Sequence, residues 1–487
     1  MNYRVSVEID DEVPVLIVGA GPAGLTCAIA LARAGVECLL VERRDELSSL
    51  PRATYLSLGS MELMRSFGLE GALRARANDV EFVAWSCETL AAVGGGSPMP
   101  VGIPTRAESA LISPTAPACV PQDQLEPLLL EHLRRLGPAR VALGTELADV
   151  RASADGVEAT LRDGAGEPHT IRARYLVAAD GAYSRIRAQL GIRMLHEQRL
   201  HDSVSVLFRA SLWGLLDEHR YGLYSIEHPG APGIFLPAGR DDRWIYGATV
   251  DAHGGPEALT EARLMAAVRT GAGVPRLEVD VERTGVFSFA AGLAETFRRD
   301  SAFLVGDAAH RVTPRGGTGM NMAIRGGFDL GWKLGWVLRG WAPDALLDTY
   351  ERDRLPAVRH NIRRSLDPAG TMRETDGEFR VDLGPRIRHL WSSAGGERRT
   401  STLDLVSPGL TLIAGPEGAP EHRWAAERGG PPVSVRRVDA LAAWGLGLQD
   451  GAALLVRPDS TLAAWLAPGE PAQGRNHGSV CEQATLR

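Results

Sequence analysis

Residues 15–24 are Val-Leu-Ile-Val-Gly-Ala-Gly-Pro-Ala-Gly, an apolar run that leads directly into a glycine-rich turn. A continuous apolar run of this length is typical of a strand that is buried on both faces of a parallel sheet. The turn has the spacing GxGxxG, with Gly19 for the tight turn, Gly21 for close approach of a phosphate to the backbone, and Gly24 for close helix–strand packing. The first 24 residues therefore predict a phosphate-binding strand and turn.

The sequence on the C-terminal side of this turn completes the pattern. Residues 25–34 predict a helix with Gly35 as its C-terminal cap, and residues 38–41 predict a second buried strand that ends at Glu42. The helix N-terminus offers free N–H groups to phosphates, and the acid is placed to bind a ribose hydroxyl. The order of strand, turn, helix, strand and acid predicts a Rossmann-type dinucleotide-binding unit.

Composition limits what else the chain can be. The 487 residues are enough for two or three domains, and a net charge of −7 argues against a nucleic-acid partner. No apolar run reaches the roughly 18 residues that span a bilayer, and the acidic start lacks the basic region of a signal peptide. The five cysteines are scattered without CxxC spacing, so neither a disulfide framework nor a metal site is expected. We expect a cytoplasmic protein with no membrane contact.

Two later segments separate FAD from NAD as the bound dinucleotide. Residues 175–179 predict a buried strand that ends at Asp180-Gly181, and residues 302–305 predict another that ends at Gly306-Asp307. Residues 314–321, Pro-Arg-Gly-Gly-Thr-Gly-Met-Asn, then precede a long helical pattern. With the GxGxxG turn, these motifs resemble in order and spacing the class A flavoprotein aromatic monooxygenases, the family of para-hydroxybenzoate hydroxylase, phenol hydroxylase and the aromatic polyketide hydroxylases. The resemblance covers roughly residues 13–370.

The resemblance implies an enzyme that uses FAD, NADPH or NADH, and O₂. In such an enzyme a C4a-hydroperoxyflavin transfers one oxygen atom to an electron-rich ring, here a small-molecule aromatic of the polycyclic polyketide type. Three alternatives stay open: Baeyer–Villiger oxidation or epoxidation on the same fold, oxygenative inactivation of an antibiotic, and a flavin-bearing protein that sequesters a ligand without turnover. A homodimer is also expected.

The motifs and the resemblance together name the residues that we expect to bind the cofactor. A carboxylate at a strand end, Asp307, can accept bonds from ribitol hydroxyls, and the helix that starts near Gly319 can direct N–H groups at the pyrimidine edge of the flavin. The expected cofactor-binding residues are Gly19, Gly21, Pro22, Ala23, Gly24, Glu42, Arg43, Arg52, Gln122, Leu147, Asp180, Gly306, Asp307, Pro314, Gly317, Gly319, Met320 and Asn321. Gln124 is a rival to Gln122, and His310 is interpreted as structural.

The substrate region is less well determined by sequence. Alternating runs such as residues 203–208 and 244–248 predict an antiparallel sheet. Its aromatics Tyr224, Phe235, Trp244 and Tyr246 are candidates to line the pocket, although alternation directs half of such residues elsewhere. Phe82 and Trp85 are further pocket candidates. The candidates for catalysis are Arg52, Pro314, Tyr224, Phe235 and Tyr246, and no acid–base pair is evident.

The predicted fold class is α/β: a Rossmann-type FAD-binding domain, an inserted antiparallel-sheet substrate domain, and a small thioredoxin-like C-terminal domain without CxxC. The predicted domain ranges are 1–78, 111–190 and 293–370 for FAD binding, 79–110 and 191–292 for the substrate, 371–402 for a helical connection, 403–467 for the C-terminal domain, and 468–487 for a disordered tail.

Overall fold

The apolar runs identified in the sequence form the centre of a mixed α/β fold. The structure, a computed structural model, describes residues 11–164, 166–255, 259–369, 375–394, 399–416, 430–448 and 451–466. The predicted tail, 468–487, lies outside the described residues. In the described part, no helix is both long and apolar enough to cross a membrane. Cys27, Cys38, Cys87 and Cys119 are buried free thiols.

The first sheet carries the dinucleotide-binding motifs. Its central strands pair in parallel, and Leu16, Ile17, Leu39 and Leu40 are fully buried, which explains why these strands appear in the sequence as continuous apolar runs. Numbered along the chain and taken in spatial order, its strands are β16 (Arg298–Arg299), β17 (Ala302–Leu304), β10 (Pro168–Ala178), β1 (Glu12–Val18), β2 (Cys38–Glu42) and β7 (Ala139–Leu143), with β9 (Gly156–Arg162) and β8 (Glu146–Ser153) extending from β10.

Helices cover this sheet and connect its strands. The predicted first helix is present, but it starts three residues earlier than expected because Pro22 is well suited to the first turn of a helix. The helices are α1 (Pro22–Arg33), α2 (Leu58–Ser66), α3 (Glu70–Arg74), α4 (Arg106–Ile112), α5 (Gln122–Leu136), α6 (Arg185–Gln189), α7 (Trp213–Leu216), α8 (Glu261–Ala272), α9 (Gly319–Leu338), α10 (Thr349–Leu366), α11 (Thr375–Leu383) and α12 (Ala440–Gly445).

Helices α1 and α9 lie in unusually close contact. This contact holds the GxGxxG turn at the start of α1 close to the motif of residues 314–321 at the start of α9. A Cβ atom at Gly327 would overlap the carbonyl oxygen of Ala23. A Cβ at Gly331 would lie 2.7 Å from the Cβ of Ala30, and one at Gly335 would lie 2.8 Å from the Cβ of Ala34. A glycine at every fourth position of α9 therefore lets the two helix backbones approach more closely than side chains would allow.

The second sheet is mixed, and the prediction of an antiparallel sheet needs one correction. All its pairings are antiparallel except that of β12 (Tyr221–Ile226) with β4 (Glu81–Cys87), which is parallel because β4 comes from the separate segment 79–110 and no hairpin joins it to β12. In spatial order the strands are β18 (His310–Arg311), β15 (Asp280–Ala294), β11 (Met194–Arg209), β14 (Arg243–Thr249), β13 (Gly233–Pro237), β12 (Tyr221–Ile226), β4 (Glu81–Cys87) and β5 (Ser97–Met99).

A third sheet lies near the C-terminus, where the predicted strands are present. Its central strand pairs in parallel with one neighbour and antiparallel with the other. The spatial order is β22 (Val433–Arg437), β21 (Leu410–Ala414), β23 (Ala453–Val456) and β24 (Leu462–Leu466). Two short ribbons complete the strands: β3 (Tyr55–Leu56) with β6 (Ala118–Cys119), and β19 (Trp391–Ser392) with β20 (Thr400–Ser401).

Candidate active site

A cleft of about 1120 Å³ lies between the carboxyl ends of the parallel strands and one face of the second sheet. This is the edge at which open α/β sheets bind their ligands. Most of the predicted cofactor-binding residues line it, namely Gly19, Gly21, Pro22, Ala23, Glu42, Arg43, Arg52, Gln122, Leu147, Asp180, Gly306, Asp307, Pro314, Gly317, Gly319 and Met320. Gly24 and Asn321 are not among the lining residues. The motifs thus converge from three distant parts of the chain.

The GxGxxG turn has a separate constraint at each glycine. Gly19 adopts φ +112°, and a Cβ there would overlap the carbonyl oxygen of Ala179 on the neighbouring strand end. A Cβ at Gly21 would face open space in the cleft, whereas one at Gly24 would overlap the carbonyl oxygen of Gly19. Gly24 therefore acts through packing, and Gly21 leaves the backbone accessible to a ligand.

The N-terminus of α1 fits a pyrophosphate. Its N-cap is Gly21, and no side chain caps the first-turn N–H groups. Those groups and the positive end of the helix dipole face the cleft that Gly21 lines. At the end of β2, Glu42 accepts hydrogen bonds from the backbone N–H of Ala20 (3.0 Å) and of Arg44 (3.1 Å), which fixes the acid beside the turn.

Gln122, rather than Gln124, lies in the cleft. The backbone N–H of Gln122 donates to the carbonyl oxygen of Ala53 (2.8 Å), next to Arg52, and its side chain donates to Glu126 Oε1 (2.7 Å). The Gln124 amide instead packs against Gly239, outside the lining of the cleft. Of the two glutamines, only Gln122 lines the cleft.

Glu126 is a cleft residue that the sequence analysis missed. It is 2% exposed, and burial raises the pKa of its carboxyl, while the hydrogen bond from Gln122 and the charge of Arg52 act in the opposite direction. The signal was present in the sequence, because Glu126 falls on the same helix stripe as the buried Leu125, Leu129 and Gln122. An acid on a buried stripe next to a candidate site is a marker of function.

The Asp180 carboxylate lines the cleft and also orders the turn that follows it. One oxygen accepts a hydrogen bond from Ser184 Oγ (2.5 Å), and the other accepts one from the backbone N–H of Ile186 (3.2 Å). Burial raises the pKa of Asp180, and these hydrogen bonds partly offset that rise. Asp180 therefore joins the cleft to the start of α6.

Asp307 lies at the end of β17, where the side chain opens into the cleft. The Asp307 side chain is exposed to the cleft, but partial desolvation by the surrounding protein raises the pKa of the carboxyl, and the positive charges of Arg311 and Arg52 oppose the rise. His310, three residues later, is 3% exposed and does not line the cleft; burial lowers its pKa to about 4. The placement agrees with a structural role for His310.

The N-terminus of α9 fits the second half of a flavin. Its N-cap, Thr318, makes no capping hydrogen bond, and Thr318 Oγ1 is buried without a partner among the described residues. Asn321 lies behind this turn: its amide donates to the carbonyl oxygens of Tyr55 and Gly317 (both 3.0 Å), and its oxygen accepts from the N–H of Ser57 (2.8 Å). Asn321 thus positions the loop and does not itself line the cleft.

The predicted substrate aromatics lie on the wrong face of the second sheet. Tyr224, Phe235, Trp244 and Tyr246 are fully buried in a separate apolar core on the side away from the cleft. The Tyr224 hydroxyl donates to the carbonyl oxygen of His219 (2.7 Å). Because strand side chains alternate between faces, their neighbours line the cleft instead. Tyr224, Phe235 and Tyr246 are therefore withdrawn as catalytic candidates, while Arg52 and Pro314 remain.

The cleft wall opposite the flavin motifs is largely apolar. The second sheet presents Leu223, Ile234 and Leu236 to the cleft, with Ser225 as a hydroxyl among them. Phe82 lines the cleft as predicted, but Trp85 does not. Lining residues that were not named individually from the sequence include Tyr55, Val83, Ala84, Met99, Val101, Ile103, Phe289, Arg315 and Pro368. Five of them lie in segment 79–110, which was assigned to the substrate domain as a whole, but the sequence carried no signal for which of its residues face the cleft.

Arg315 brings a charged group to this apolar wall. Its guanidinium donates to the carbonyl oxygen of Asp367 (3.2 Å) and lies 6.0 Å from the centre of the Phe289 ring. Tyr55 packs against Phe82 with 5.0 Å between ring centres. The wall therefore offers an apolar surface that includes the Ser225 hydroxyl, with the Arg315 guanidinium also lining the cleft.

Known families match this chain over nearly its whole length. A family model described as an FAD binding domain matches residues 12–365, and one described as the C-terminal region of aromatic-ring hydroxylases matches residues 381–482. The chain belongs to the FAD-dependent aromatic-ring hydroxylases. It is thus an FAD-dependent monooxygenase, and the resemblance drawn from the sequence motifs is confirmed. The mixed α/β fold class is confirmed as well.

Two curated relatives and one solved structure illustrate what this hydroxylase is similar to. The chain is 34% identical to tetracenomycin A2 monooxygenase-dioxygenase of Streptomyces glaucescens, with 94% of each chain covered. It is 34% identical to aklavinone 12-hydroxylase DnrF of Streptomyces peucetius, over 85% of this chain and 95% of that one. The solved structure of aklavinone-11 hydroxylase with FAD and aklavinone matches with a TM-score of 0.86 at 31% identity, covering 98% of this chain and all of that one.

Proposed function

We propose that this hydroxylase inserts one oxygen atom into a fused-ring aromatic of the polyketide type. The observation that carries the proposal is the wall of Leu223, Ile234 and Leu236 facing the flavin motifs across one cleft. An apolar wall in a cleft of about 1120 Å³ suits a large ring system, and an apolar lining excludes water from the oxygen-transfer step. When bound, FAD supplies the redox chemistry, passing two electrons from NADPH or NADH to O₂. One oxygen atom enters the ring, the other leaves as water, and NADP⁺ or NAD⁺ is released.

The role of the protein in this reaction is to bind and orient. We assign the α1 N-terminus and Gly21 to the pyrophosphate, Glu42 to the adenosine ribose, and Asp307 to the ribitol hydroxyls. The uncapped start of α9 at Gly319 is assigned to the pyrimidine edge of the flavin, where its dipole stabilises negative charge. Gly24 and Asn321 act by holding the two turns in place.

The substrate side needs few polar contacts. Ser225 is placed to hydrogen-bond an oxygen substituent of the ring system, and Arg315 to stabilise negative charge on a phenolic oxygen at the margin of the cleft. Arg52 is assigned to the flavin side because its charge acts on Asp307 and Glu126, both of which line the cleft.

Substrate-dependent flavin reduction tests the proposal. The FAD-loaded protein would be mixed anaerobically with NADPH, or with NADH, in the presence of fused-ring phenols and quinones, and loss of flavin absorbance would be followed by stopped flow. We expect at least one fused-ring phenol to speed up reduction and, in air, to gain one oxygen atom. If reduction is equally slow with every ring compound and none is oxidised, the protein is a flavin-bearing binder. Structural work on the product separates hydroxylation from ring expansion, since both add one oxygen.

We also propose the domain division predicted from the sequence. It is supported by two apolar cores of their own, one formed by residues between 87 and 281 and one formed by residues between 387 and 456. The core beneath the parallel sheet also includes residues of β21 and β23, so one face of the third sheet packs on the FAD-binding part. In the third sheet, β21 pairs in parallel with β22, and β23 forms an antiparallel hairpin with β24. This arrangement supports the thioredoxin-like assignment for 403–467. The homodimer and the cytoplasmic location remain predictions from sequence.

A further inference from the structure

A second cavity, of about 660 Å³, lies between the helices behind the flavin cleft and the third sheet. Helices α2, α9 and α10 form its walls together with the turn at residues 457–461. Among the described residues, it has no lining residue in common with the cleft. The proposed hydroxylation does not use this cavity.

The lining of this cavity is strongly basic, although the chain as a whole has a net charge of −7. Eight arginines line it, against four carboxylates. The arginines are Arg33, Arg325, Arg352, Arg354, Arg363, Arg380, Arg386 and Arg457, and the acids are Glu62, Asp329, Asp353 and Asp459. A positive surplus concentrated in one enclosed space creates a potential that attracts anions.

The four carboxylates already have partners. Glu62 pairs with Arg386 (2.7 Å), and Asp459 pairs with Arg457 (2.6 Å). Asp329 and Asp353 share Lys333, a fully buried ammonium that lies 2.9 Å from each carboxylate. Asp353 also lies 3.3 Å from Arg352. The acids of the cavity are therefore engaged with four nearby cations, and the surplus charge remains on the other arginines.

Arg325 and Arg354 carry unbalanced charge in the cavity, and both residues are half-buried. The Arg354 guanidinium makes no hydrogen bond or ion pair with any residue that the structure describes, and the Arg325 guanidinium has a long 3.5 Å bond to the carbonyl oxygen of Leu383. Burial lowers the pKa of Arg354, and the nearby positive charge of Arg325 lowers it further, against the opposing influence of Asp329. Two neighbouring half-buried guanidinium groups without an anion repel each other, and an oxyanion between them would relieve that repulsion.

We propose that this cavity is a binding site for a small multivalent oxyanion, such as a phosphate-bearing metabolite, held by Arg325 and Arg354. A guanidinium presents a planar fork of N–H donors that matches two oxygens of such an anion. A surplus of several positive charges favours a dianion or trianion over chloride. The volume leaves room for a group larger than the bare ion. Phosphate esters and polycarboxylates have this chemistry in common, and the probes below distinguish them.

Binding would be measured on the full-length protein loaded with FAD, so that phosphate cannot enter the flavin turn. Inorganic phosphate, pyrophosphate and citrate would be titrated by calorimetry at constant ionic strength, with sodium chloride as the balance. We expect saturable binding of at least one probe. If the phosphate probes bind more tightly than citrate, the natural ligand is a phosphate ester; if citrate binds more tightly, it is a polycarboxylate. Arg354→Met and Arg325→Met should each weaken binding about tenfold or more. Arg359→Met is the matched control, because Arg359 is exposed on the same helix, α10, and does not line the cavity.

Arginine modification gives a test that needs no variant. Phenylglyoxal would be applied to the wild-type protein with and without the tightest probe, and modified peptides would be quantified by mass spectrometry. We expect the probe to protect Arg325 and Arg354 but not Arg359. The proposal is overturned if no probe binds saturably, if sodium chloride reproduces the effect, or if the two cavity arginines are modified at the same rate with and without the probe.

Discussion

At the residue scale, the flavin turn shows that three glycines in one motif are needed for different physical reasons. Gly21 is open to the ligand, whereas Gly24 is enclosed by the backbone of Gly19. The sequence predicted these separate roles from the spacing alone, because the GxGxxG pattern is tied to one strand–turn–helix geometry.

Gly24→Ala is expected to weaken both the fold and FAD binding. The added methyl would overlap the carbonyl oxygen of Gly19, so α1 must move away from the strand end, at a cost of about 1–3 kcal/mol in the free energy of unfolding. Thermal unfolding and FAD titration measure the two effects. Gly71→Ala, in the open helix α3, is the control and should be neutral or slightly stabilising. Equal behaviour of the two variants would contradict this account of the turn.

Glu126 gives a prediction about pH dependence. Because burial raises the pKa of its carboxyl in the folded state, the protonated form favours folding. Its contribution to stability is therefore complete below the unfolded pKa of about 4.5 and is lost as pH rises through the higher folded pKa. Glu126→Gln cannot ionise, so we expect stability between about pH 5 and 8 to be maintained or increased relative to wild type.

Unfolding midpoints measured from pH 4 to pH 8 test the direction of this pH dependence of stability. Glu131→Gln is the control, because Glu131 lies on the same helix with its side chain 57% exposed and paired to Arg135. An exposed pair of this kind contributes little. A steeper fall in the stability of Glu126→Gln toward neutral pH than of wild type would show that the assigned environment of Glu126 is wrong.

At the element scale, the contact of α9 with α1 is a feature that sequence reading could not supply. A glycine in a helix is only a weak signal by itself, and the atom that Gly327 approaches belongs to Ala23, some 300 residues away. The motif at the start of α9 was predictable because its function constrains its local sequence. Its packing partner was not, because that depends on which helices lie side by side.

Gly327→Ala should therefore disturb the flavin turn from a distance. The new methyl would overlap the carbonyl oxygen of Ala23, and we expect a loss of about 1–3 kcal/mol together with weaker FAD binding. Gly326→Ala is a matched control one residue earlier, where a Cβ would be 3.6 Å from the Tyr350 hydroxyl, an ordinary contact. Helix propensity alone favours alanine at both positions by up to ~1 kcal/mol, so a difference between the variants reports packing.

The second sheet explains why the substrate aromatics were placed on the wrong face. Alternation was evident in the sequence, but both faces of these strands are apolar: Phe235 packs in a core, and Leu236 lines the cleft. With no polar face, sequence alone cannot tell which set of residues faces the ligand. Trp244 and Tyr246 were favoured because they are large, and large rings are also what a buried core requires.

Leu236→Trp is expected to narrow the cleft and leave the core intact. The predicted result is a loss of substrate-stimulated flavin reduction, of tenfold or more, with little change in the unfolding midpoint. Phe235→Ala, at the neighbouring position on the opposite face, should do the reverse and cost about 3–5 kcal/mol of stability. Stopped-flow flavin reduction and thermal unfolding would be measured for both variants. If Leu236→Trp mainly lowers stability and Phe235→Ala mainly lowers substrate-stimulated reduction, Leu236 and Phe235 have been assigned to the wrong faces of the sheet.

At the scale of the whole molecule, the account depends on three strand ends and one apolar wall meeting at a single cleft. The strand ends were predictable because each carries a local motif, whereas the wall is assembled from segments with no motif of their own, such as residues 97–103. The basic cavity was likewise invisible in the sequence, since its arginines come from helices and turns that are far apart along the chain.

Oxygen isotope transfer shows whether this protein moves one atom of O₂ into a fused-ring substrate. The FAD-loaded enzyme would turn over a fused-ring phenol with NADPH under oxygen-18 gas, and the product and the NADPH consumed would be measured together. The account predicts one oxygen-18 atom in the ring product for each NADPH oxidised. A protein that fails to retain FAD, or a product whose new oxygen comes from water, would contradict it.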